Sequence, residues 1–140
     1  MPHSDFLNQN LSVQCNDLAG EIVKTYQHLP WAMKNEAVAR LTRQIHQLAE
    51  EAKKVQASQS VMTTQTRLKE SISLIHECVP LLDLCLRKVL VSPELHTRWI
   101  KKLNGLEIGF SDWLKGISAG RYWFYLVSGP CIKTRIGASI

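Results

Sequence analysis

The chain has 140 residues, 45% of them apolar and 21% charged, with a net charge of +5. That is one domain's worth of a soluble globular protein, long enough to bury about two-thirds of its unfolded surface without a metal or disulfide staple. No apolar run reaches the ~18–20 residues of a membrane span, and the polar start MPHSDFLNQN has neither the basic nor the apolar region of a secretory signal.

Residues 1–10 read as an N-terminal arm and 11–118 as one helical domain. In the first segment Leu11, Cys15, Leu18, Ile22, Tyr26 and Leu29 recur in steps of three and four, and Pro30 then marks a corner. Val38, Leu41, Ile45, Leu48, Ala52 and Val55 form the second stripe, and the polar stretch from Ala57 to Ser60 is the next turn. The third stripe is read as Val61, Leu68, Ile72, Ile75, Val79, Leu82, Leu86 and Val89, with Pro80 inside it predicting a kink or a local opening. Ser92-Pro93-Glu94 is a strong helix start: a capping hydroxyl, a proline at the first helical position and an acid in the first turn. Leu95, Trp99, Leu103, Leu106, Phe110, Trp113 and Ile117 make the fourth stripe, which Gly116 and Gly120 are suited to close.

Four such stripes joined by short connections predict an all-α fold, an up-down-up-down four-helix bundle. Residues 119–140 read as an aromatic and basic C-terminal extension, non-helical or poorly ordered. Arg121 to Val127 is aromatic and β-prone, and Ser128-Gly129-Pro130 interrupts it. This extension is open to three uses: covering the end of the bundle, pairing with a partner, or remaining free.

Cys15, Cys78, Cys85 and Cys131 include no C-x-x-C pair, and Cys78 and Cys85 stand about 10 Å apart along a helix, too far for a disulfide. They read as apolar core residues in a reducing cytoplasm. No phosphate loop, zinc-protease motif or nucleophile elbow is present, and the E-x-x-H repeat of a di-iron bundle is missing. No catalytic residue, cofactor or metal site is therefore expected, and the five histidines read as solvated or capping.

The basic residues carry more information. By segment the charge runs −2 over 1–30, +2 over 31–59, +1 over 60–91, +1 over 92–118 and +3 over 119–140. The second helix places Arg40, Arg43 and Lys54 on one exposed face with Lys53 beside it. The fourth places Arg98, Lys101 and Lys102 off its apolar stripe, and Arg87 and Lys88 end the third. Such groups suit phosphates; equally, Arg40 and Lys54 have Glu36, Glu50 and Glu51 within helical reach. Glu107 and Asp112 are placed to pair with Lys102, Lys115 or a neighbouring subunit.

The fourth helix also carries a likeness. Leu106-Glu107-Ile108-Gly109, followed by Trp113-Leu114-Lys115, resembles the closing signature of the accessory variability determinants of diversity-generating retroelements. These are kin of the four-helix bundles encoded in 23S rRNA intervening sequences. The Pro30 corner, the basic helix at 34–54 and the run from Leu81 to Arg87 are similar to that family's upstream helices. The likeness covers roughly 10–118. Pro80 and the corner from Met33 to Glu36 depart from the pattern, and the tail lies outside it.

The resemblance implies a cytoplasmic, non-enzymatic homo-oligomer, a pentamer, with a basic surface. It implies as partners a reverse transcriptase and template RNA, or DNA or an RNA/DNA hybrid, in mutagenic cDNA synthesis. Arg40, Arg43, Lys53, Lys54, Arg98, Lys101 and Lys102 are the expected nucleic-acid contacts, chosen for exposed basic character. The alternative is an interaction bundle of the intervening-sequence type. Most of the signature itself reads as packing, with Gly109 permitting a close helix–helix or subunit approach.

Overall fold

A computed structural model describes the backbone of residues 2–117 and the side chains from Leu11 to Ile117. The expected extension at 119–140, with Cys131, lies outside the described residues. Five helices follow one another: α1 (Pro2–Gln27), α2 (Pro30–Met33), α3 (Glu36–Ala57), α4 (Val61–Arg87) and α5 (Pro93–Gly116). α1 already begins at Pro2, so the backbone of the expected arm continues the first bundle helix.

The ends of these helices follow local chemistry. α2 is a single turn started by Pro30. The Asn35 side chain accepts a hydrogen bond from the Ala37 amide at 2.8 Å and starts α3. Ser60 caps α4, and Ser92 caps α5 by accepting from the Leu95 amide at 3.1 Å. Each cap satisfies an amide that has no partner inside its own helix, worth about 1 kcal/mol.

The four long helices form a closed square: α1 packs on α3, α3 on α4, α4 on α5, and α5 returns to α1. Paired residues fix the directions. Gln44 bonds Glu77 and Arg67 bonds Glu51 between α3 and α4; His96 meets Asp83 and Glu107 meets His76 between α4 and α5; Glu21 meets Arg98 between α1 and α5. As one index rises the other falls, so these neighbours are antiparallel and the bundle runs up-down-up-down. The core holds Trp99, Tyr26, Phe110 and a set of Leu and Ile side chains sealed from solvent, each contributing about 1.5–3 kcal/mol. Among the described residues no helix is long and apolar enough to cross a membrane.

The first, second and fourth stripes fill this core as expected. The third does not. The buried line of α4 is Thr64, Leu68, Ser71, Ile75, Cys78, Leu82 and Cys85, an uninterrupted alternation of threes and fours. Ile72, Val79 and Leu86 sit one position round on the half-buried flank, and Val61 and Val89 are exposed. Following the bulkiest apolar residues rotates the stripe, because its true axis is built partly of small ones. The polar members are satisfied locally: Ser71 donates to the Arg67 carbonyl at 2.9 Å, and Thr64 donates to the Ser58 hydroxyl at 2.8 Å.

Pro80 does not end the helix. α4 stays helical from Val61 to Arg87, with the ring on its exposed side. There the His76 carbonyl, deprived of its usual amide partner, faces water.

Candidate nucleic-acid interface

The basic residues expected to bind phosphates separate into three groups. Arg40 and Arg43 are exposed on the first half of α3, and neither makes an ion pair with a described residue, Glu36 included. Lys53 and Lys54 lie two to three turns further on, towards the α3–α4 turn. Lys53 is exposed and free of ion pairs among the described residues, whereas Lys54 lies 3.8 Å from the half-sealed carboxylate of Glu51, which Arg67 also approaches at 3.3 Å. The third group is on α5, diagonally across the square from α3.

On α5 the structure divides neighbours in sequence. Glu21 of α1 collects three donors: Arg98 Nε at 3.0 Å, Lys102 Nζ at 3.1 Å and the Trp99 indole N–H at 2.9 Å. Burial alone pushes the Glu21 carboxyl up, but the indole and Lys102 hydrogen bonds and the charges of Lys102 and Arg98 outweigh it. They hold the group below its ordinary range. Arg98 and Lys102 are therefore committed to the α1–α5 seam, while Lys101 points outward, exposed and with no ion pair among the described residues.

The distribution of charge along the bundle is uneven. The half carrying the α1–α3 corner holds Lys24, Lys34, Arg40, Arg43, Arg87, Lys88, Arg98, Lys101 and Lys102 against Asp17, Glu21, Glu36, Asp83 and Glu94. The half carrying the α3–α4 turn holds Lys53, Lys54, Arg67, Lys69 and Lys115 against Glu50, Glu51, Glu70, Glu107 and Asp112, while Glu77, bonded to Gln44, belongs with the corner half. All the positive excess of the described side chains sits at the corner end. Five of the seven expected contacts lie in that half; Lys53 and Lys54 do not.

The described histidines and cysteines have structural partners or surroundings. His96 bonds Asp83 at 2.8 Å, His76 bonds Glu107, and His46 lies 3.9 Å from Glu50. His28 sits against the Lys24 carbonyl at 2.8 Å, at the end of α1. Glu107 thus takes a histidine of α4 within the chain, in place of the lysines expected for it, because its position on α5 faces α4. Cys15, Cys78 and Cys85 are free thiols sealed in the core, and burial pushes Cys15 and Cys78 up to about 12. Among the described residues no group of three or more His, Cys, Asp or Glu side chains could hold a metal ion.

Sequence reasoning passed over one feature of the corner end. Trp31 of α2 is 59% exposed, with Met33 and Val89 also open to solvent nearby along the chain ends. A tryptophan directly after the corner proline, off every stripe, was the signal available. The closing signature divides as well: Leu106 and Phe110 are buried and Trp113 is half-buried, but Ile108 is 62% exposed. Gly109 lies against α1, where an added methyl would meet Leu11 Cδ2 at 2.5 Å. Compared with known protein families, curated proteins and solved structures, the chain gives no match.

Proposed function

We propose that the chain is a non-catalytic, RNA-binding accessory bundle that contacts RNA through its basic corner half. The observation that carries this reading is the segregation of charge: the positive excess of the described side chains lies at one end, and Arg40, Arg43 and Lys101 there make no ion pair with a described residue. Unpaired surface cations attract phosphate because contact releases condensed counterions, which makes the binding steeply salt-dependent.

The likeness of the α5 signature extends the proposal to a setting. The bundle acts beside the reverse transcriptase of a diversity-generating retroelement, as a homo-oligomer, on template RNA or its DNA or hybrid products. An exposed Ile108 in an otherwise packed signature suits a contact with another chain. The pairing of Arg98 and Lys102 with Glu21, and of Lys54 with Glu51, favours the alternative of an interaction bundle without an RNA role.

Titration of a labelled structured RNA at low and high salt, together with light scattering after size-exclusion chromatography, separates the two. On the RNA reading, an oligomer binds at low salt and releases at high salt. Arg40→Gln, Arg43→Gln and Lys101→Gln each weaken binding and flatten the salt dependence by about one ion per residue. Lys53→Gln, at the neutral end, changes binding least. Indifference to RNA at low salt refutes this reading and leaves the interaction bundle.

A further inference from the structure

The corner end combines an exposed aromatic ring, carried on an anchored turn, with cations that make no ion pair with a described residue. α2 is anchored by Ala32, which is fully buried, and started by Pro30, whose ring fixes its backbone angle. Trp31 is thus displayed on a single pinned turn, so little conformational freedom is lost when something stacks on it. The Tyr26 hydroxyl donates to the Leu90 carbonyl at 2.9 Å and ties the α4–α5 connection to this corner. That bond fixes the exposed Lys88 and Val89 at the same end as Trp31, the end that also carries Lys34 and Arg87. None of Lys34, Arg87 and Lys88 makes an ion pair with a described residue. Val89 adds a second oddity: a β-branched residue at φ 58° with its side chain 80% exposed, a position where glycine is the usual occupant.

We propose that this end is a platform for single-stranded nucleic acid, with the Trp31 indole stacking an unpaired base and Lys34, Arg87 and Lys88 holding flanking phosphates. The inference rests on the RNA-binding reading above and locates its contact with bases. An exposed indole sharing one end of the bundle with exposed cations is the combination that binds single strands without reading sequence. A base inside a duplex has no face to offer, so the platform discriminates strand state. An acidic protein segment would answer the cations but has no comparable use for a flat aromatic face.

The test compares three labelled probes of about ten nucleotides, a usual span for such sites: a single strand, the same backbone without bases, and the duplex. The expected order is single strand tightest. Trp31→Ala lowers single-strand affinity about tenfold and leaves the base-free strand unchanged, while Trp31→Phe restores most of the loss. Lys34→Gln, Arg87→Gln and Lys88→Gln weaken single and base-free strands alike. Trp31 is exposed, so matching helical circular dichroism checks that the variants are folded. If the protein binds RNA but Trp31→Ala changes nothing, or base-free and base-bearing strands bind equally, the platform is refuted and the broader reading survives. If no nucleic acid binds at low salt, or only polyglutamate does, both fall.

Discussion

Replacing Val89 by glycine should stabilise the protein, although it deletes a side chain. α4 ends in a tight reversal: the Leu90 amide donates back to the Cys85 carbonyl at 2.8 Å and the Val89 amide to Leu86 at 3.0 Å. These two bonds define a Schellman motif, in which the residue after the cap adopts left-handed geometry. Val89 occupies that place at φ 58°. For a residue with a Cβ the left-handed region costs about 1–2 kcal/mol, and β-branching makes it worse.

Against that gain stands the greater freedom of glycine in the unfolded chain, about 0.5–1 kcal/mol. Little burial is lost, since Val89 is 80% exposed. The net expectation is about 1 kcal/mol, or about 3–5 °C in Tm for a chain of this size. Val89→Asn, which tolerates the left-handed region, should gain a similar amount, and Val89→Ala should gain less. Urea titration and thermal melts of the three variants measure this. If Val89→Gly is neutral or destabilising while Val89→Ala stabilises, the strain argument is wrong.

Other substitutions follow from the same geometry. Gly105→Ala, in open space inside α5, should stabilise by about 1 kcal/mol, whereas Gly109→Ala must displace Leu11 and should gain less or lose, as paired urea melts would record. Tyr26→Phe strips the buried Leu90 carbonyl of its donor and should cost about 1–3 kcal/mol by the same assay. Because the Glu21 carboxyl is held below its ordinary value of 4.5, its pairing stabilises the fold above that pH and is lost as pH falls through the lowered value. Glu21→Gln should therefore flatten the decline of Tm on the acid side of about pH 4.5. Cys131→Ser should leave a protein whose thiols resist a chromogenic disulfide reagent at neutral pH and react once unfolded, since Cys15, Cys78 and Cys85 are buried.

Much of the bundle was legible because heptad-like spacing speaks directly about burial. The stripes of α1, α3 and α5, the Ala57–Ser60 turn and the Ser92-Pro93 start needed no tertiary information. The stripe of α4 was displaced because Thr64, Ser71, Cys78 and Cys85 are buried for their size and local hydrogen bonds, neither of which a hydrophobicity pattern weighs. The candidate interface was less legible for a related reason. Exposed lysines and arginines look alike in sequence, and only the fold brings Glu21 from α1 to Arg98 and Lys102. It also takes the antiparallel arrangement to bring Arg40 of α3 and Lys101 of α5 to the same end.

The closure of the square between α1 and α5 bears on how the chain assembles. The other principal packings of long helices join helices that are consecutive in the bundle and linked by a short connection, so three helical hairpins can form from nearby residues at small entropic cost. The α1–α5 seam alone joins the two extremities of the described chain, and it is fastened by Gly109 against Leu11 and by the three donors on Glu21. Its closure carries the longest loop of the four packings. The same α1 surface that receives α5 of its own chain can receive α5 of another, which gives this topology a direct route to exchange of helices between copies.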